Sequence, residues 1–140
     1  MSCDLESVRS IFACAPFMVD LGVVPIAAGE GTVSTELRVE KRHTQHMGVV
    51  HAGVMATMAD HSMGAAAQTL APEGYWILTA ELRTSLLRPA RGERLVCEAL
   101  VLKPGRSITF TEASVWAVSG AERTLVMKAS ATMAVTAPKA

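Results

Sequence analysis

The sequence is poor in aromatic residues. Three Phe, two Trp and one Tyr make up 4% of the chain, and they are scattered (Phe12, Phe17, Tyr75, Trp76, Phe110, Trp116). A stacking platform for single-stranded nucleic acid needs more of them, clustered. Net charge is absent too. Thirteen basic and thirteen acidic residues cancel, which argues against nonspecific nucleic-acid binding and polybasic attachment to a membrane. Nothing approaches a membrane-spanning apolar run. The opening Met1-Ser2-Cys3-Asp4-Leu5-Glu6 carries acids where a secretory signal needs bases. The expectation is a soluble, cytoplasmic protein. Cysteine is scarce and odd in number (Cys3, Cys14, Cys97), with no CxxC pair. Neither a zinc knuckle nor a redox dithiol is suggested, and reduced structural thiols are expected.

Apolar residues, in contrast, make up half of the 140 positions. A chain of this size is expected to form one domain (1–140), burying about 68% of its unfolded surface. Leu5, Val8, Ile11 and Phe12 have helical spacing, so a short amphipathic helix is predicted over 5–14, with Pro16 just beyond its end. Runs 21–28 and 32–40 flank Gly29-Glu30-Gly31 as a hairpin. In the second run Val33, Thr35, Leu37 and Val39 share one face. From Ala52 to Leu70 the chain is rich in Ala and Met and too long for a strand, which predicts a helix apolar on nearly all sides and therefore buried.

The second half reads as four strands, over 76–88, 94–103, 107–118 and 124–135. Their short Gly/Pro and polar separators imply antiparallel neighbours. The alternation slips near Glu112, which predicts a bulge there. In the last strand Met127, Ala129, Ala131 and Met133 face one way, and Val126, Lys128, Ser130 and Thr132 the other. A helix surrounded by apolar contacts in a two-layer domain requires a sheet that curls around it. The fold class is thus α+β, an antiparallel sheet of about six strands wrapped around a long central helix. Its remaining edge or face needs covering, which favours a dimer.

Within the helix, Gly53, Thr57, Asp60, His61 and Gly64 fall on one face. An ionisable Asp60 among Ala, Met and Val is costly unless paired, solvated or at work. Pairing with a base, capping a backbone group and catalysis all answer that requirement. His51-Ala52-Gly53 opens the helix, where backbone N–H groups and the positive end of the dipole suit a carbonyl oxygen gaining charge; an ordinary small-residue helix start fits equally. Gly53 and Asp60 are seven residues, about 10 Å, apart along a helix, too far to meet one carbonyl comfortably. Two antiparallel copies of the helix in a two-fold dimer would bring them together.

Between Arg83 and Arg106 lie six bases (Arg83, Arg88, Arg91, Arg94, Lys103, Arg106) and two acids, Glu93 and Glu98. A positive rim on a neutral protein suits a ligand carrying phosphates; a solvated sheet surface is the alternative. The four histidines (His43, His46, His51, His61) form no HExxH or Cys/His cluster, so no metal site is expected. No GxSxG elbow or GxxxxGK[ST] loop occurs.

Gln45-His46-Met47-Gly48-Val49-Val50-His51-Ala52-Gly53, with Asp60 seven residues on, resembles the hotdog-fold acyl-CoA thioesterases of the phenylacetic-acid-degradation type. Their usual pattern is Asn-x-x-Gly-x-x-His-Gly-Gly, six residues, then Asp. The likeness continues through Leu78-Thr79-Ala80-Glu81-Leu82, Leu87 to Glu93 and Val101 to Arg106, and spans roughly 20–136. It implies hydrolysis of an acyl-CoA by a homodimer or homotetramer with its site between subunits, and no cofactor beyond the CoA of the substrate. Asp60 would be the general base or nucleophile, the amide of Ala52 or Gly53 would polarise the carbonyl, and Gln45 would bond the thioester region or water. Thr79 would help hold the attacking water. His51 belongs to the substrate-binding turn, and Arg88, Arg91, Lys103 and Arg106 would meet the nucleotide end of CoA. Two positions depart from the pattern, Ala52 for the first Gly and Gln45 for Asn. A noncatalytic acyl-CoA binding or sensing module, and an acyl-thioester dehydratase or hydratase using His61 or His51 beside Asp60, are the competing expectations.

Overall fold

The structure, a computed structural model, describes residues 3–138; the outermost residues of the expected 1–140 domain lie outside them. Two short helices open the chain, α1 (Leu5–Ala13) and α2 (Pro16–Leu21), followed by the hairpin β1 (Val23–Gly29) and β2 (Thr32–Arg38). A 3₁₀ turn at Lys41–His43 leads to the long helix α3 (Ala52–Gln68). The strands β3 (Trp76–Leu86), β4 (Arg94–Lys103), β5 (Ile108–Ser119) and β6 (Glu122–Thr136) complete the chain. All six strands form one antiparallel sheet in the order β1-β2-β4-β5-β6-β3. This is the α+β, six-stranded arrangement expected from the sequence, with α3 packed against its concave face. No helix among the described residues is long and apolar enough to cross a membrane.

Each strand presents one face to α3. Val33, Thr35 and Leu37 of β2 are buried, as are Leu95, Cys97 and Ala99 of β4 and Met127, Ala129, Ala131 and Met133 of β6. Hydroxyl groups fix α3 on that surface. Thr35 Oγ1 and Ser62 Oγ are 2.8 Å apart in the core. The Gly31 N–H donates to Thr69 Oγ1 at 2.8 Å, and that hydroxyl donates to Ala66 O at 2.6 Å, tying the helix end to the β1–β2 turn. Burial pushes the Cys97 thiol up to about 12 despite hydrogen bonds from Ser62 and Thr35. A thiol so protonated is a packing group with no nucleophilic role.

Several expectations are corrected. α3 is not buried on all sides: Thr57, Asp60, His61, Gly64 and Gln68 are only partly covered. Pro16 does not merely follow the first helix but begins a second, at the position where its missing N–H is harmless. Glu112 itself lies in regular register with Leu100 and Ser130; the shifts fall to either side of it, between Val101 and Lys103 of β4 opposite Thr111 and Phe110, and between Val115 and Trp116 in the β5–β6 pairing. The alternation looked broken because β5 buries Thr109 and Thr111 while leaving Ile108 and Phe110 exposed on its outer face. Val126 is buried, unlike its assigned companions Lys128, Ser130 and Thr132. The strand expected over 76–88 ends at Leu86, and Leu87 and Arg88 continue into the next loop.

That loop is anchored where Gly92 crosses the end of β5. Gly92 has φ +152°, and a Cβ there would lie 2.5 Å from Val118 O. The next N–H, from Glu93, donates to the same carbonyl at 2.9 Å. Gly92→Ala combines an unfavourable dihedral with a backbone clash and is expected to lower unfolding free energy by about 3 kcal/mol. An unchanged urea midpoint would contradict this.

Candidate active site

Asp60 and Thr79 meet across the gap between α3 and the edge strand β3. Asp60 lies on the half-covered side of the helix, and Thr79 Oγ1 donates to its Oδ1 at 2.7 Å. Asp60 makes no ion pair among the described residues. Both residues line a cleft of about 610 Å³, together with Ile11, Gly64, Gln68 and Ile77 among others. The pairing depends on β3, whose register on β6 shifts between Thr79 and Glu81, around Ala80.

The other expected site residues lie in a second cleft, of about 590 Å³, lined in part by Gln45, His51, Ala52 and Arg88. Its floor is a turn in which the Gly48 N–H donates to Gln45 O at 3.0 Å, with Gly48 at φ +83°. The Gln45 side-chain carbonyl accepts from the Met47 N–H, leaving the amide NH₂ to meet a ligand. The segment is docked by Val50 N–H to Ala90 O (3.1 Å) and His51 N–H to His43 O (2.8 Å). His43, which sequence reasoning did not single out for this task, is buried. Its Nδ1 accepts from the Glu40 N–H at 2.9 Å, so its Nε2 donates to Leu21 O at 2.8 Å.

His51 is the N-cap of α3. The Gly53 N–H, a donor assigned to the substrate carbonyl, donates instead to His51 Nδ1 at 2.8 Å. A carbonyl oxygen must displace the imidazole to take that amide. A Cβ at position 53 would stand 3.0 Å from Nδ1 and crowd the imidazole.

One protomer therefore brings together Asp60 and Thr79, and separately Gln45, His51, Ala52 and Arg88. The basic residues are also divided. Arg88 donates to Leu125 O at 2.8 Å, at the end of the sheet where β4 begins. Lys103 and Arg106 flank the turn at the opposite end, where the Val135 N–H donates to Ser107 O. Arg83 and Arg94 are paired with Glu81 and Glu36. Arg91, Lys103 and Arg106 make no ion pair among the described residues.

His61, beside Asp60, lies edge-on to Phe12 with ring centroids 4.6 Å apart. Its Nε2 is buried with no hydrogen-bond partner, and burial holds the imidazole below its usual 6.5 even though Asp60 pulls the other way. The native state thus favours neutral His61, while the unfolded chain takes up a proton as pH falls through about 6.5. The stability this provides is present above that pH and is lost below it, down through the depressed native value. Melting temperature is expected to fall on acidification in that window, and His61→Gln to flatten the fall; equal slopes for the two proteins would refute it. His61 lines the same cleft as Asp60, whereas His51 is in the other cleft. No group of three or more His, Cys, Asp or Glu side chains suited to a metal ion occurs among the described residues.

An acid lining a cleft beside the long helix, against a six-stranded antiparallel sheet, is the arrangement expected of a hotdog hydrolase. The chain belongs to the Thioesterase superfamily, whose sequence model matches residues 47–124 and so includes Asp60, Thr79 and the 51–53 turn. Human acyl-coenzyme A thioesterase 13 is 31% identical over 108 residues, 76% of each chain. The crystal structure of a thioesterase family protein from Silicibacter pomeroyi is 33% identical with a TM-score of 0.91, covering 94% of this chain and 97% of that one. The E. coli PaaI protein from the phenylacetic acid degradation operon shares the fold at a TM-score of 0.84 and 15% identity, covering 96% and 94%.

Proposed function

We propose that this chain hydrolyses an acyl-CoA thioester to the free acid and CoA, as a homo-oligomer whose site forms between two subunits. The observation that carries the proposal is the Asp60 carboxylate, unpaired by any cation among the described residues, oriented by the Thr79 hydroxyl and open to a cleft. Family membership supports thioester hydrolysis as the chemistry. The Gln45-to-Gly53 motif supports the phenylacetic-acid-degradation branch as the kin group.

In the reaction, Asp60 takes a proton from water as the water oxygen attacks the thioester carbon. The tetrahedral oxyanion is held by the Gly53 or Ala52 amide, with Gln45 nearby. The C–S bond then breaks and CoA leaves as the thiolate. Direct attack by Asp60, giving an anhydride that water opens, uses the same groups.

The division into two clefts supports the two-subunit site. β3 is an uncovered edge, exposed along nearly its whole length, with Leu78, Leu82 and Leu86 open to solvent. An edge of this kind invites a second strand. Thr79 of the first cleft and Leu86 of the second lie symmetrically about Leu82 and Arg83. Two β3 strands paired antiparallel about that centre would set Asp60 and Thr79 of one protomer against Gln45, Gly53 and Arg88 from its mate. The same operation would bring Arg88 and Arg91 of the mate toward Lys103 and Arg106, assembling a basic rim for the CoA phosphates. Thiol release from a panel of acyl-CoAs, parent beside Asp60→Asn, tests the proposal. Release by the parent alone supports it, and release from none of the panel defeats it.

A further inference from the structure

We infer that Gly64 sets the acyl specificity of this site, and that the cleft admits uncharged aliphatic acyl groups of medium length. The inference rests on the thioesterase function proposed above. Asp60, Gly64 and Gln68 follow one another at single-turn spacing along α3, on the wall of the Asp60 cleft. Gly64 is inside the helix, without a positive φ, so its backbone does not require glycine. Packing does not require it either: a Cβ built there meets nothing within 4 Å. Helix propensity disfavours glycine in such a position. What its missing side chain leaves is open room, one turn beyond the catalytic carboxylate.

Gln68 closes the far end. Its Nε2 donates to Tyr75 O at 2.9 Å, and its Oε1 accepts from the Ile77 N–H at 3.2 Å. This amide joins the helix to the start of β3 and has both ends engaged by backbone. The distance from Asp60 to Gln68 is about 12 Å, the length of an extended chain of roughly eight to ten carbons. Between them the wall carries Ile11, Ala65 and Ile77, and among the described residues no Lys or Arg lines the cleft, whereas Glu73 does. At the Gln68 end, an acyl group ending in a carboxylate would meet no cation among the described residues of its own protomer and, in Glu73, a like charge; an unsubstituted alkyl end meets apolar side chains.

The test is a kcat/KM series over acetyl-, butyryl-, hexanoyl-, octanoyl- and decanoyl-CoA, with succinyl-CoA as the charged control, for the parent, Gly64→Ala and Gly64→Leu. The parent is expected to prefer octanoyl over acetyl and to reject succinyl. Gly64→Leu is expected to lower the octanoyl-to-butyryl ratio at least about tenfold while butyryl stays within about threefold, with Ala between. Gly64→Ala, favoured by the helix, carries the same comparison should Leu lower the melting temperature. A ratio unchanged in both folded variants, an equal loss on all chain lengths, or efficient succinyl hydrolysis would overturn the inference while leaving thioester hydrolysis standing. Absence of thiol release by the parent from every substrate would remove the underlying function instead.

Discussion

Asp60→Asn is expected to lower kcat for acyl-CoA hydrolysis by about three orders of magnitude, the usual scale for losing a positioned base. The fold should survive. Asn keeps the shape of the side chain and an oxygen able to accept from Thr79 Oγ1, and it replaces a residue half open to the cleft rather than one packed in the core. KM should change far less than kcat, because the lost contribution belongs to the transition state. A folded variant within about threefold of the parent would exclude both roles for the carboxylate. Single-turnover hydrolysis in ¹⁸O-water separates those roles: label passes directly into the product acid if Asp60 activates water, and into the Asp60 carboxylate, with an unlabelled product acid, if Asp60 attacks the thioester and water opens the anhydride at the Asp60 carbonyl.

The second large effect is on assembly. Leu82→Asp places a carboxylate at the centre of the uncovered β3 edge, close to its symmetry-related copy if two β3 strands pair there. Desolvating two like charges at such an interface is strongly unfavourable. The parent is expected to sediment at twice the mass of the chain or more, and the variant as a monomer. Activity should fall by about two orders of magnitude or more although Asp60, Thr79 and Gly53 are untouched, since the proposed site draws its reacting groups from two protomers. Leu82 is partly solvent-exposed, so the variant's own fold, followed by far-ultraviolet circular dichroism, should persist. A monomeric variant with full turnover would show that one protomer suffices.

Much of the architecture was legible from side-chain periodicity. The buried row Met127-Ala129-Ala131-Met133 and the hairpin face Val33-Thr35-Leu37 follow from period-two alternation. α2 was not legible, because six residues are too few to establish a helical period and Pro16 reads equally as a stop or a start. β5 misled because two buried threonines face inward while Ile108 and Phe110 face out, the reverse of hydropathy. At the site, the face shared by Asp60, His61 and Gly64 could be read from spacing, and Gln68 continues that ladder by one more turn. The Asp60–Thr79 contact itself depends on where β3 lies, a tertiary fact; the family likeness pointed to Thr79 only as a holder of the attacking water. The capping of the Gly53 amide by His51 was illegible, because it is a matter of side-chain rotamer rather than of pattern.

The hydroxyls beneath α3 have a consequence for redesign. A rod surfaced with Ala and Met offers little to stop it slipping along a smooth sheet. Thr35 with Ser62, and Thr69 with Gly31, act as detents on its hidden side. They set how far along the sheet the carboxylate comes to rest, independently of what grows on the opposite flank. Libraries that recontour the cleft at positions 64 and 68 should therefore retain the acid's alignment. Apolar replacements at 35, 62 or 69 would let it wander.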